Sequence, residues 1–338
     1  MLWHISQIQP DVNNIFFYWD GARLEGDRLT QAIDSIWSTR HFNPTRPIWF
    51  ITNTEEAADW PNIRVTRWDD TIYSQMPNAA EWTPIYNEAH PRDRSDLFRL
   101  LLLHKFGGSY IDTDDIAIRP IPPTRQANIV CRSYDPHTCH YDGNTPADCV
   151  PGYTRETAGF EHIPWFPRND CWYNWRAEHE LIESIIREGS QQPQLGINSI
   201  YTWGKTGKPS WQTLILNNCM AALANHGKTW QSALTLIYLP ESHVATCSQW
   251  DRGDHGGELH HIWPQSPQPW GQQEFTLDQA TQFIAKARAL WPHAAHMWLH
   301  DKGDRISQQW DPRAPKRNKQ LMSTHIIQAI RQEIGRTQ

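Results

Sequence analysis

No apolar run in this 338-residue chain is long enough to cross a bilayer: the longest, LFRLLLL at 97–103, falls far short of the ~20 residues that a spanning helix needs. The opening MLWHISQIQPDVNNIFFYWDG has no basic stretch leading into a long apolar core, so neither a signal peptide nor a membrane anchor is expected there, and the expected location is cytoplasmic. A basic excess is missing as well. Lys plus Arg is 31 against 37 for Asp plus Glu, a net charge of −6, which argues against nucleic acid as the main partner. The 6 cysteines form no CxxC pair, and a chain of this size does not need disulfide staples. Cys131, Cys139 and Cys149 share a loop-like stretch with His137 and His140, where a zinc site or a disulfide stays open.

Against only 20% charged residues stand 19 Trp, 17 His and 24 Pro. Indole and imidazole rings offer flat faces with polar tips, which suit sugars and nucleobases, although many of the Trp are expected in the core. The length allows one domain with an elaborated periphery or two lobes; a single domain over 1–338 is the expectation.

Residues 14–19 (NIFFYW) and 46–53 (RPIWFITN) read as short buried strands, with LTQAIDSIWSTR between them in helical register and 62–68 (NIRVTRW) as a third strand. The alternation predicts an α/β sheet open to ligands at its strand ends. DRSDLFRLLLLHKF at 93–106 is expected to start at Ser95 as N-cap and to stop at Gly107 and Gly108. Leu97, Leu100, Leu101 and Leu103 would cover the core, while Asp96 and Arg99 share a face on which a surface ion pair is one reading. SYIDTDDIAI should follow as a strand.

Residues 132–168, rich in Pro, Gly, Asp and His, read as an inserted loop region near the site. Further on, 171–189 reads as a strand passing into a helix, 210–227 as a helix and 234–240 as a strand. Residues 274–338 form a C-terminal helical segment. Its last amphipathic stretch, NKQLMSTHIIQAIRQEI, is suited to packing on the core or to peripheral contact with a membrane.

The chemistry concentrates in HKFGGSYIDTDDIAI, where Asp112, Asp114 and Asp115 follow a double glycine and a short apolar strand. Carboxylates this close repel one another, so something positive should neutralise them. A divalent cation with oxygen ligands, Mg²⁺ or Mn²⁺, does so and keeps positions open for phosphate oxygens.

SDLFRLLLLHKFGGSYIDTDDIAI resembles the signature of DXD-containing sugar-nucleotide glycosyltransferases, S-D-x-x-R followed by G-G-x-Y-x-D-x-D. The likeness is closest to the α-1,4-galactosyltransferase and α-1,4-N-acetylglucosaminyltransferase branch, with yeast-type α-mannosyltransferases and clostridial glucosylating toxins more distant. NDCWYNWRAEHELIE, with Asn169 and His179, and HAAHMWLHDKG at 293–303 resemble later segments of that branch.

The resemblance implies a GT-A-type fold, a single α/β/α sandwich with a mainly parallel central sheet and additional C-terminal helices. It implies a nucleotide-sugar donor, UDP-linked above all, bound with Mn²⁺ or Mg²⁺. By position, Asp96 and Arg99 would grip the donor sugar, Asp112 would reach ribose or sugar hydroxyls and the metal sphere, and Asp114 would ligate the metal. Trp19 would stack on the nucleobase, with Tyr18 adjacent and a core role open for both; Asn169 would lie on the donor side. His296 would be the C-terminal contact to metal or diphosphate, with His300 competing and a backbone-satisfied histidine as the plainer reading. Asp115 departs from the pattern, and three roles are open to it: binding acceptor, supporting the metal or facing solvent. Ser210 and Trp211 stand where the family often has Gly-Pro, on the acceptor side.

The implied reaction is retaining transfer of a hexose or N-acetylhexosamine to an acceptor hydroxyl on a glycan, a role suited to polysaccharide biosynthesis. No carboxylate can be picked out beneath the anomeric carbon, which favours attack on the face from which the leaving group departs. Two alternatives belong to other classes. A haloacid-dehalogenase-like Mg²⁺-dependent phosphatase also carries Asp-x-Asp after an apolar strand, though normally on the first strand of its domain. The second is a non-catalytic sugar- or metal-binding protein on the same scaffold.

Overall fold

The computed structural model describes residues 3–20, 24, 26–52, 60, 62–67, 74–88, 91–123, 129–133, 166–180, 182–183, 186–187, 276–290, 295–298 and 317–335. The expected loop over most of 132–168, the helix at 210–227, the strand at 234–240, His300 and the histidines and later cysteines near Cys131 lie outside these residues. The chain divides into two units. The first comprises Met1–Leu24, Arg46–Asp112 and Pro123–Leu239, the second Glu25–Thr45, Thr113–Pro122 and Pro240–Gln338.

The first unit holds β1 (Ile15–Trp19), β2 (Ile48–Thr52), β3 (Arg64–Arg67), β4 (Gly108–Ile111), β6 (Ile129–Ser133) and β7 (Phe166–Trp175) in one sheet of order β3-β2-β1-β4-β7-β6. β3, β2, β1 and β4 run parallel; β7 and β6 are antiparallel additions. Ile15, Phe16, Phe17, Ile48, Phe50 and Ile51 are all 0% exposed, as continuous apolar runs in a parallel sheet covered on both faces require. The mixed α/β class with a mainly parallel sheet is as expected.

Helix α2 (Ala79–Glu88) and helix α3 (Pro91–Phe106) belong to the same unit. α3 packs on β1 and β4 and buries Leu97, Leu100, Leu101, Leu102 and Leu103. It begins at Pro91, whose fixed φ and missing N–H suit a first helical position, so Ser95 lies inside the helix and not at its cap. The double glycine then ends it. The Gly107 N–H reaches Leu103 O at 2.9 Å with φ +63°, and a Cβ there would lie 2.7 Å from Trp175 O. At Gly108 (φ +98°) a Cβ would stand 2.5 Å from Asn14 O, so only glycine lets β4 start this close to the chain entering β1.

The expected strand SYIDTDDIAI is two strands. β4 ends at Ile111, a turn carries Thr113 and Asp114, and β5 (Asp115–Ala117) belongs to the second unit. There it pairs antiparallel with β8 (His296–Trp298), a small second sheet that the sequence reading did not foresee. The second unit also contains α1 (Gly26–Phe42), α4 (Leu277–Leu290) and α5 (Arg317–Glu333), the last two being the expected C-terminal amphipathic helices. α5 packs on α1 and α4, with Ile326 and Ile330 0% exposed and Arg331 forked onto Asp34 at 2.8 and 2.6 Å, so its apolar face is used in packing. No helix among the described residues is long and apolar enough to cross a membrane.

Candidate active site

From β1 the sheet grows in two directions: β2 and β3 step outward on one side, and β4 lies on the other. At such a reversal the loops leaving two adjacent parallel strands diverge and open a crevice at their carboxyl ends. β1 ends there on Trp19, followed by Asp20, and β4 ends on Ile111, followed by Asp112.

α3 is tied to both strand ends. Because Gly107 and Gly108 turn the chain straight from α3 into β4, the first half of the helix lies beside the strand's carboxyl end. Arg94 Nη1 donates to Asp20 Oδ2 at 3.1 Å, with the Asp20 side chain only 6% exposed. Arg99 Nη2 stands 3.1 Å from Asp112 Oδ1, and its guanidinium lies 4.6 Å above the Tyr110 ring. Ser95 Oγ is 2.9 Å from Tyr110 Oη. Arg99 is buried, and a buried guanidinium requires a carboxylate or comparable partner. The positive charge expected near the acids is thus supplied, at Asp112, by Arg99.

Asp96 is on α3, but its side chain lies outside those described, as do the side chain of Asn169 in β7 and that of Cys131 in β6. Trp19 is half-buried at the end of β1, in register with Thr52. Tyr18 is a core residue, stacked on Phe98 with centroids 4.2 Å apart. His179 meets Trp175 edge-on at 5.1 Å.

In the second unit, Asp114 is partly exposed in the turn before β5. Asp115 is 1% exposed, which removes the solvent-facing role from its three possibilities. His296 is also 1% exposed; it pairs in register with Ala117, and its Nε2 lies 3.0 Å from Thr39 Oγ1. Among the described residues no three His, Cys, Asp or Glu side chains gather into a ready-made metal centre. Asp112 and Asp114 are each an oxygen donor of the kind that a hard divalent cation takes, and each keeps part of its surface open.

Asp20 and Arg94 are additions to the residues read from sequence, whereas Ser95 and Tyr110 lie within the motif quoted there and gain a contact with each other. An acid directly after a buried strand was the available signal for Asp20, whereas nothing local marks Arg94 as its partner.

Asp20 and Asp112 thus stand at the carboxyl ends of β1 and β4, beside the reversal in strand order where open α/β sheets generally bind their ligands. The chain matches, over residues 31–131, the model of the glycosyltransferase sugar-binding region containing the DXD motif. Its α/β sheet is consistent with a GT-A-like fold. No curated protein matches the chain. Among solved structures it is similar to the PaToxG glycosyltransferase, at 14% identity over 96% of this chain and 88% of that one, with a TM-score of 0.41. It is also similar to a transferase mutant with two cysteines replaced by serine, at 11% identity over 68% and 90% of the respective chains, TM-score 0.41. At these scores the overlaps add no argument about fold or function.

Proposed function

We propose that the chain, acting as one catalytic domain over 1–338, is a metal-dependent retaining glycosyltransferase that moves a hexose or N-acetylhexosamine from a UDP-linked donor to an acceptor hydroxyl on a glycan. The observation that carries the reading is the Asp112 carboxylate at the end of β4, held by the buried Arg99 beside the sheet's switch point and two positions before Asp114. Asp112 and Asp114 would hold Mn²⁺ or Mg²⁺, which when bound neutralises the diphosphate and acts as Lewis acid on the leaving group.

The chain's own groups orient the donor. Trp19 offers an indole face to the nucleobase, Asn169 stands on the donor side, and Asp96 with Arg99 grips the sugar. Arg99 also keeps Asp112 in place, so the carboxylate is organised before the donor arrives. The anomeric C–O bond to the diphosphate breaks with its electron pair on the leaving oxygen. The acceptor oxygen bonds to the same face, and the acceptor's proton passes to the departing phosphate. The cytoplasm, with or without peripheral membrane contact, is the location we propose.

A haloacid-dehalogenase-like phosphatase is disfavoured, because among the described residues three strands precede the one that carries the acidic motif, which that class normally places on its first strand. A binding-only protein would not turn over its ligand. Hydrolysis of UDP- and GDP-sugars with and without Mn²⁺, beside Asp114→Ala, tests the reading. Turnover of one donor, dependent on metal and lost in the variant, is expected; an inverted product by NMR would refute retention.

A further inference from the structure

We propose that α1 is the positioning element for the Asp114 carboxylate, acting through a buried row of hydroxyls that grips the backbone of β5. The proposal rests on the metal reading above and assigns residues that reading does not use.

α1 is an unusual packing helix. Asp34, Ser35, Ser38, Thr39 and Asn43, at and just beyond its inward face, are all buried, whereas α3 fills its inward positions with leucine. Buried polar groups are tolerated where each finds a partner, and these do. Ser35 Oγ donates to Asp115 O, the carbonyl of the residue directly after Asp114. The Ala117 N–H donates to Ser38 Oγ at 3.0 Å, while the Ser38 hydroxyl proton goes to Ser35 O at 3.0 Å, which fixes Ser38 as the acceptor. Residues 115 and 117 are two apart in a strand and present their backbone groups on one edge; Ser35 and Ser38 are three apart in a helix and share a face. The two periodicities meet in register.

The other edge of β5 is covered by β8, whose His296 lies opposite Ala117 and places Nε2 3.0 Å from Thr39 Oγ1. β5 and β8 make a short two-stranded ribbon, a type of element that is marginal alone. α1 therefore stabilises both strands, β5 through Ser35 and Ser38 and β8 through Thr39. On the far side of β5, Asn43 Oδ1 accepts the Ile121 N–H at 3.0 Å, so the segment is held at both ends. His296 thereby joins the support of the acidic turn as a positioning residue and not as a ligand.

The test is titration of Mn²⁺ alone into the full chain, with free Mn²⁺ read by electron paramagnetic resonance and the melting temperature measured in parallel. Ser35→Ala combined with Ser38→Ala is expected to weaken Mn²⁺ binding about ten-fold, as loss of support behind metal ligands does, while Ser38→Thr, which keeps the hydroxyl, binds like wild type. Wild-type Mn²⁺ affinity in the double variant, whatever its melting temperature, overturns the proposal, since the hydroxyl row would then serve the fold alone. If the double variant does not fold, each single alanine variant is judged by the same criterion. Asp114→Ala is run alongside. Unchanged Mn²⁺ binding there overturns the metal reading and the inference with it, whereas lost binding there beside wild-type affinity in the serine variants overturns the inference alone.

Discussion

The Arg99 guanidinium and the Asp112 carboxylate stand 3.1 Å apart, the first side chain 3% exposed and the second 26%, and together they join α3 to the end of β4. Removing one member of a buried pair leaves the other charge uncompensated, at about 3–5 kcal/mol when both are fully buried. With Asp112 partly open to water, Arg99→Ala is expected to cost about 3 kcal/mol by urea denaturation, toward the lower end of that range. Arg99→Lys should cost less in stability, because charge is kept, but it loses the flat stacking on Tyr110. Equal stability of Arg99→Ala and wild type would show that the pair does not hold the strand end.

Gly108 is the less replaceable of the two glycines. Its φ of +98° already disfavours a side chain, and a Cβ would meet the Asn14 backbone oxygen at 2.5 Å, where no flexible group can yield. Gly108→Ala should therefore cost more than the about 1–2 kcal/mol of left-handed backbone alone. Insoluble expression or a strongly lowered melting temperature is expected; a fully stable variant would contradict the close approach.

His104, in the last turn of α3, introduces a pH dependence. Burial lowers its pKa from the ordinary 6.5, with Glu183 and Glu178 opposing in part and Lys105 adding to the lowering. Below that value the unfolded chain takes up a proton that the folded chain resists, so stability is full above it and falls as the pH drops toward the folded pKa. Denaturant titrations between about pH 7 and pH 5 should show wild type losing more stability than His104→Gln. Parallel curves would mean that His104 titrates alike in both states.

If Trp19 stacks on the nucleobase, Trp19→Ala should weaken UDP binding by about 1–3 kcal/mol, and Trp19→Phe should recover much of it. Calorimetric titration of both variants checks this. Unaltered affinity in Trp19→Ala would leave Trp19 a packing role only.

Much of this was legible in the sequence because it is local. The apolar runs at 14–19 and 46–53, the leucines of α3 and the Gly107–Gly108 stop follow from periodicity and backbone chemistry, and the structure places them as expected. Ser95 was misplaced because a serine before an apolar run resembles a cap, while Pro91 starts the helix one turn earlier and leaves the hydroxyl for Tyr110. The acids at 112–115 read as the end of one strand, yet the chain turns at Thr113 and Asp114 and enters another sheet. Pairing β5 with β8 joins segments about 180 residues apart, and local patterning carries no signal for such a contact. The hydroxyls of α1 were hidden for a related reason: Ser and Thr on a helix look like a solvent face until their partner strand is known.

Calorimetric titration of UDP into the wild-type chain, once with Mn²⁺ and once with the metal chelated, tests the central claim most directly. Saturable binding with Mn²⁺ that is lost on chelation, and equally lost in Asp114→Ala, is the predicted result. Binding of equal strength with and without metal, or no binding in either case, would contradict the assignment of Asp112 and Asp114 to a metal that holds a nucleotide diphosphate.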